Sequence, residues 1–270
     1  MIWIPLLWYI FFFFGPVVLV LVFSFLKRGT YGGIEWIFNL ENFQSLLNYS
    51  YLQIIGQSVL LAAATTIICA FVALPLTWKI ATYSPKKRNL YIFLVSLPFF
   101  MNSLARIYSI KLMFYLGGPI DDALNILSIT HDILNWSQSQ GLVLFGMTLT
   151  YLPFMIFPIY AAFEKLDFSI VEAASDLGAD SLQVFRNVLI PVLKKPIFNG
   201  ALLVFIPSLG EYLIPDLLGG AKNMLIGNFI TQLFLKARDW PLGAALTLAL
   251  LVILLAAHKL VSAKLERKAV

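Results

Sequence analysis

Long apolar stretches recur along the whole chain and alternate with short polar segments. A helix that crosses the hydrocarbon core of a membrane needs roughly 20 consecutive apolar residues. Six stretches are about that long, and they cover residues 2–26, 53–80, 90–116, 141–163, 196–218 and 241–260. The first is too long for a secretory signal and lacks its small-residue cleavage site. The pattern therefore predicts an all-α membrane protein with six transmembrane helices in a single domain, residues 1–270.

The composition agrees with a lipid environment. Hydrophobic residues make up 60% of the 270 residues, and charged residues make up only 12%. A soluble domain carries about a quarter charged residues, so the apolar excess indicates membrane lipid as a partner. Cys69 is the one cysteine and lies in an apolar stretch. We expect it to be a small buried side chain, and an internal disulfide is excluded.

Basic residues are distributed unevenly among the predicted loops. Twelve of the nineteen Lys and Arg residues fall in the 2–3 connection, the 4–5 connection and the C-terminal tail. Lys and Arg are enriched on the cytoplasmic side of membrane proteins, so these segments and both termini are predicted to be cytoplasmic. The net charge of +5 is thereby explained as a topology signal, and no nucleic-acid partner is expected.

The connection between spans four and five carries signals that start and stop helices. Ser169, followed three residues later by Glu172, has the pattern of a capping box, which starts a helix. Gly178 suits the left-handed conformation that commonly ends one. We expect a short helix between these signals, and the small side chains of Ala173 and Ala174 would let another protein approach its surface closely.

A second helix signal follows directly. Asp180 can start the next helix, with Gln183 three residues later. Pro191 disfavours the helical conformation in the residue before it, so this helix is expected to end ahead of Pro191. The prediction is two short helices that meet at Gly178.

These features at this spacing resemble the cytoplasmic loop of ABC-importer membrane subunits. The matching residues are Glu172, Ala173, Ala174, Gly178 and the segment Val188-Leu189-Ile190-Pro191. In that family the loop is a coupling helix that docks into a groove on an ATPase subunit. The resemblance implies a type I ABC-importer permease fold with a cytoplasmic coupling loop at about 164–195. An ordinary amphipathic loop helix is the alternative interpretation.

The sequence lacks the motifs of several enzyme classes. It has no G-x-x-x-x-G-K-[ST] segment, which would hold ATP, and no H-E-x-x-H segment, which would hold zinc. Its two histidines, His131 and His258, are far apart and are expected on opposite sides of the membrane. We predict that the chain is not an enzyme and holds no metal or cofactor, and that ATP is bound by a partner ATPase subunit.

Among the charged residues inside the predicted spans, where charge is costly and marks functional sites, three stand out. Counted at roughly 1.5 Å per residue, Arg106 and Glu211 lie at similar depth in the outer half of the membrane, and Asp216 lies at the outer mouth. Two interpretations stay open. Arg106 and Glu211 form a structural ion pair, or Glu211 and Asp216 face a pathway for a cation, where the rings of Tyr212 and Tyr108 attract ammonium groups.

Three further blocks are similar to spermidine/putrescine importer permeases, and most of all to the PotB-type subunit. The blocks are residues 97–108, 216–228 and 238–245. The resemblance implies spermidine or putrescine as substrate and the bacterial inner membrane as location. It also implies three partners: a PotC-type second permease, a homodimeric PotA-type ATPase and an extracytoplasmic PotD-type polyamine-binding protein.

Two other functions stay open on these grounds. The first is an ABC permease for another small solute, such as ferric iron or thiamine. The second is a secondary cation carrier or channel that uses Glu211 as its ion site. The loop around Glu172 discriminates against the second, because a carrier has no use for a capped pair of short cytoplasmic helices.

Overall fold

A computed structural model describes residues 3–115, 118–120, 122, 139–220 and 224–266. The described chain is helical apart from a short two-stranded antiparallel ribbon. It divides into two compact units, one of residues 1–59 with 224–270 and the other of residues 60–223. The predictions made for residues 2, 116, 131, 221–223 and 267–268 lie outside the described residues.

The N-terminal part of the chain begins with a long helix that widens into a π-turn near its middle. The elements are α1 (Trp3–Tyr9), a π-turn (Ile10–Phe14), α2 (Gly15–Ser24), β1 (Leu26–Arg28), β2 (Ile34–Phe38), α3 (Glu41–Ser45), α4 (Tyr49–Ala81), α5 (Pro85–Phe100) and α6 (Ser103–Met113).

The C-terminal part of the chain alternates long helices with short ones. The elements are α7 (Gln140–Glu164), α8 (Ser169–Asp176), α9 (Ser181–Val184), a second π-turn (Phe185–Leu189), α10 (Ile190–Leu209), α11 (Leu213–Leu218), α12 (Ile226–Leu235) and α13 (Trp240–Glu266).

The helices account for the predicted apolar spans. Four helical segments of the described chain are long and apolar enough to cross a membrane, namely Pro5–Ser24, Tyr49–Ala81, Gln140–Glu164 and Ser181–Leu209. The pair α5 and α6 makes a fifth if it is taken as one bent span, and α13 carries a shorter apolar stretch, Trp240–Ala256. The predicted fold class, an all-α membrane protein, is confirmed.

The core of the unit of residues 60–223 lies between α7 and α10. Met147, Met155 and Phe163 of α7 are fully buried there. Gly200 allows the two helices to approach closely, since a Cβ at this position would lie 2.7 Å from the sulfur of Met155. Gly146 does the same for α11, because its Cβ would lie 2.7 Å from Leu218 Cδ1. Helix α7 is therefore the central helix of this unit.

The other unit packs α2 and α12 against α13. Its small core contains Leu233, Leu242 and Leu246. Arg28, at the end of β1, approaches Asp239 to 3.6 Å in an ion pair and donates a hydrogen bond to the carbonyl of Ala237. The ribbon is thereby fastened to the start of α13.

The third predicted span is interrupted in the structure. Helices α5 and α6 meet at an angle of 96°, and Met101 between them is extended. The Asn102 side chain accepts hydrogen bonds from the backbone N–H groups of Leu104 and Ala105 and so caps α6. A capping residue that follows Pro98 explains why one continuous helix does not form across residues 90–116.

The fifth predicted span is interrupted as well. Helix α10 starts well before residue 196 and ends at Leu209, and α11 begins only at Leu213. Glu211 lies in the gap between them, so the depth obtained by counting along a continuous helix does not apply to it. Both breaks belong to the unit of residues 60–223, and each has a charged residue of the predicted site in it or near it: Glu211 in the second break and Arg106 in the first turn of α6 after the first.

Candidate functional site

The polar segment after α7 folds into the predicted pair of short helices, α8 and α9. Gly178 lies between them with φ +86°, in the left-handed region expected for it. The Ala179 N–H donates to the Ala174 carbonyl, and the Gly178 N–H donates to the Ser175 carbonyl. These are the two bonds of a Schellman motif. The turn between the helices therefore depends on the backbone conformation of Gly178.

The start of α8 differs from the prediction. Ser169 is already the first helical residue, and the preceding Phe168 has helical backbone angles, so the Ser169 side chain caps nothing. The carboxylate of Asp167 accepts a hydrogen bond from the Ser169 backbone N–H at 3.0 Å instead, and this bond lowers the pKa of Asp167. The capping box predicted for Ser169 and Glu172 is therefore wrong.

The start of α9 agrees with the prediction, whereas its end does not. Asp180 accepts from the Gln183 N–H at 2.7 Å, and the Gln183 side chain accepts from the Asp180 N–H at 3.1 Å. These two bonds form a capping box, and the predicted helix start at Asp180 is confirmed. The helix then widens into the π-turn Phe185–Leu189 and continues as α10 with Pro191 in its first turn. A π-turn can absorb a proline without ending a helix, so the predicted stop before Pro191 is wrong.

The outer face of this loop is open. Glu172, Ala173 and Gly178 are exposed, and the apolar side chains of Leu177 and Leu182 are 89% and 72% exposed. Apolar side chains exposed this far on a polar, capped loop indicate a surface that another protein covers. The geometry thus suits a docking surface.

Glu211 occupies the break between α10 and α11. Its Oε1 accepts hydrogen bonds from the backbone N–H groups of Leu213 at 2.9 Å and Ile214 at 3.4 Å. Its Oε2 accepts a hydrogen bond from the Tyr151 hydroxyl at 2.6 Å. The carboxylate therefore caps the first turn of α11, where the helix dipole favours negative charge, and it connects that turn to α7.

Arg106 is not bonded to this carboxylate. No ion pair between described residues joins Arg106 to Glu211. The Arg106 Nη1 donates to the Pro98 carbonyl at 2.8 Å, and its Nε is buried without a hydrogen-bond partner among the described residues. The structure thus does not contain the ion pair of the first interpretation. Arg106 stabilises the end of α5 at the bend.

Aromatic rings connect the two breaks. Phe99, beside Pro98, packs edge-on against Phe154 of α7 with ring centroids 5.0 Å apart. Phe154 in turn lies 6.1 Å from the ring of Tyr151, which is 7% exposed. The bend that holds Arg106 and the break that holds Glu211 are thereby packed on the same central helix.

The other residues predicted for this site lie at the surface of the unit. Tyr108 of α6 and Tyr212 are 49% and 48% exposed. Asp216, in the first turn of α11, is exposed as well. An exposed carboxylate within the membrane is expected to face water or a partner chain rather than lipid.

Tyr151 is absent from the residues that the sequence predicts for this site. The available signal is a phenol in the middle of an apolar span, since a buried Tyr hydroxyl usually finds a hydrogen-bond partner. The identity of that partner depends on the pairing of α7 with α11, which no local pattern reveals.

Known proteins resemble this chain over most of its length. Residues 81–265 match the model of a family described as binding-protein-dependent transport system inner membrane component. The spermidine/putrescine transport system permease protein PotB of Escherichia coli is 37% identical over 247 residues, which cover 92% of this chain and 90% of that protein. PotB of Haemophilus influenzae is 39% identical over 269 residues, which cover 96% and 93%.

Solved structures agree on the fold. The crystal structure of a bacterial ABC transporter involved in the import of the acidic polysaccharide alginate matches with a TM-score of 0.72. The match covers 95% of this chain and 91% of that chain, at 16% sequence identity. At this identity the likeness concerns the fold alone, and it supports the ABC-importer permease architecture.

Proposed function

The chain belongs to the family of binding-protein-dependent transport system inner membrane components, and we propose that it is a permease subunit of an ATP-driven importer of polyamines. The observation that carries the substrate class is the 37–39% identity to two PotB proteins over more than nine-tenths of the chain. Spermidine and putrescine are polycations, which suit the carboxylates of Glu211, in the break between α10 and α11, and Asp216, in the first turn of α11, better than a neutral or anionic solute does.

The transport step that we assign to the chain requires no chemistry from it. ATP is bound and hydrolysed by a homodimeric ATPase subunit, and α8 with Gly178 transmits the movement of that subunit. The loop supports this role through its position, since it joins α7 directly to α9 and α10. A displacement of α8 therefore acts on the two long helices that pack against each other in the core.

The orientation follows from the same role. A docking surface for a cytoplasmic ATPase has to lie in the cytoplasm, and the uneven distribution of Lys and Arg independently favours this side. Both termini are then cytoplasmic. An extracytoplasmic binding protein delivers the polyamine to the opposite face, and a second permease subunit completes the pathway.

We assign Glu211 to that pathway. Its three described hydrogen-bond partners, the Tyr151 hydroxyl and the backbone N–H groups of Leu213 and Ile214, are all neutral. No described residue forms an ion pair with Glu211, which supports a role for its negative charge in attracting an ammonium group. Asp216 adds a second exposed carboxylate five residues later, and the exposed rings of Tyr108 and Tyr212 offer cation–π contacts. Arg106 holds the bend beside this region.

Reconstitution tests the proposal. The chain is assembled in proteoliposomes with its second permease and ATPase, and uptake is measured with binding protein in the presence of spermidine, putrescine, ferric iron or thiamine. We expect ATP-dependent uptake of a polyamine. Uptake of ferric iron or thiamine instead would overturn the substrate class, and uptake without the ATPase subunit would indicate a secondary carrier.

A further inference from the structure

The number of acceptor positions left on Glu211 carries a further inference. A carboxylate has about four lone-pair positions on its two oxygens. Two donors from the backbone occupy Oε1, and the Tyr151 hydroxyl occupies one position on Oε2. Among the described residues nothing occupies the second position on Oε2, and an arriving ammonium group can make a single direct hydrogen bond there.

We propose that Tyr151 is a positioning residue that keeps substrate binding at Glu211 weak by withholding one acceptor position from it. The proposal rests on the assignment of Glu211 to the pathway. A site along a transport pathway has to attract its substrate and also let it leave. Without the Tyr151 hydroxyl, Oε2 could accept a charge-assisted hydrogen bond from a second ammonium group of the polyamine, and release would become slow.

The location of Tyr151 gives the restraint a connection to the transport cycle. Tyr151 lies on α7, and Glu211 follows the end of α10. The segment of α8 and α9, which we call the docking loop, joins these two helices. A displacement of α8 therefore alters the same pair of elements that the Tyr151–Glu211 hydrogen bond connects. The bond can lengthen or shorten with the cycle, whereas the backbone bonds to Leu213 and Ile214 move together with Glu211.

The test is Tyr151→Phe, which removes the hydroxyl and keeps the ring that packs on Phe154. Assembled complexes are held with ATP and vanadate, and the dissociation of radiolabelled spermidine is followed, with uptake at saturating substrate measured in proteoliposomes. We expect retention of spermidine to rise about tenfold, the value of one hydrogen bond to a charged group, and uptake to fall.

Two further variants make the result specific. Tyr160→Phe removes a hydroxyl from the same helix, where it makes no hydrogen bond to any described residue, and it should change neither quantity. Replacement of Tyr151 by 3-fluorotyrosine keeps the shape and makes the hydroxyl a stronger donor, so retention should fall. The 3-fluorotyrosine variant also tests the proposal if the Tyr151→Phe complex fails to assemble.

Glu211→Gln separates failure of the inference from failure of the proposed function. If Glu211→Gln lowers retention but Tyr151→Phe lowers it too or leaves it unchanged, Tyr151 is only a structural contact and the inference is overturned. If neither variant alters retention in a complex that imports polyamine, Glu211 is not a substrate contact, and the inference falls with that assignment. If the unmodified complex imports no polyamine, the proposed function itself fails.

Discussion

Two interruptions of the helices in the same unit, the docking loop around Gly178 and the break around Glu211, are built in different ways. The docking loop is completed by residues close in sequence, since its Schellman bonds and its capping box all lie between residues 174 and 183. The break at Glu211 depends on a residue distant in sequence, because the hydroxyl that donates to Oε2 belongs to Tyr151, sixty residues earlier.

The difference indicates what each interruption is suited to do. The turn of the docking loop is held by local hydrogen bonds, and Leu177 and Leu182 are exposed on it, so it can be pushed as a unit by a partner. The break at Glu211 keeps its shape only while α7 and α11 stay packed, so it responds when those helices move. A coupled transporter requires a rigid element that receives force, here the docking loop. It also requires a compliant element that meets the substrate, here the break at Glu211.

The largest expected effect comes from breaking the rigid element. Gly178→Val places a β-branched residue at φ +86°, where a side chain costs about 1–3 kcal/mol. No described atom lies within 4 Å of the added Cβ position, so the penalty comes from the backbone conformation alone. We expect uptake to be lost while the subunit remains in the membrane, as measured by transport and by complex yield.

The matched control for that change is Gly178→Asn, because Asn tolerates the left-handed conformation better than other side chains do. It should retain most of the uptake. Gly210→Ala provides the comparison in the other break, since Gly210 has φ −89° and its added Cβ would lie 3.9 Å from the nearest atom. Normal uptake by Gly178→Val would refute the role of the docking loop.

The next effect comes from the compliant element. Glu211→Gln keeps a side-chain oxygen to cap α11, and its amide nitrogen can donate to the Tyr151 oxygen. We expect normal yield of the detergent-extracted complex and polyamine uptake reduced about tenfold or more, as for the loss of one hydrogen bond to a charged group. The measurement is uptake alongside complex yield.

The ion-pair interpretation gives the opposite outcome for the same change. If Arg106 were the partner of Glu211, the yield would fall and the double change with Arg106→Gln would restore it. We expect no such rescue, since the guanidinium donates to the Pro98 carbonyl and its removal would weaken the bend instead. Restored yield in the double variant would therefore contradict the geometry of the site.

The same contrast explains how much could be predicted from the sequence. Gly178, Asp180 and Gln183 follow rules that act over three to five residues, and the structure confirms them. The cap of α8 was misplaced by two residues, because Phe168 adopts helical angles and passes the capping role to Asp167. The rules were local in both cases, so the error was small.

Long-range pairing explains the larger failures. The spans were predicted from hydrophobicity, which does not reveal the breaks at residues 101–102 and 210–212 within apolar stretches. The partner of Glu211 depends on how α7 and α11 pack, and a similar counted depth for Arg106 and Glu211 was a poor guide once both spans proved to be interrupted. Family resemblance could point to the loop around Gly178 because its motif is contained in one segment, and the docking role of that loop stays a prediction.

The smallest expected effect concerns the cap of α8, and it tests whether the rigid element depends on local bonds. The Ser169 N–H holds the pKa of Asp167 below its ordinary value by donating to the carboxylate, so the folded loop favours the charged form. The cap therefore stabilises α8 fully above the ordinary Asp pKa of about 4 and is lost as the pH falls through the lowered pKa. Asp167→Asn keeps an acceptor oxygen and removes this titration.

We expect hydrogen exchange of the first-turn amides of α8, corrected for intrinsic rates, to lose protection in acid for the unmodified complex and to change little with pH for Asp167→Asn. Asp176→Asn is the control, since it removes a carboxylate from the other end of α8 and should keep the acid sensitivity. If both variants keep the acid sensitivity, the first turn of α8 is held by contacts other than the Asp167 cap. The docking loop would then depend on distant residues, as the break at Glu211 does.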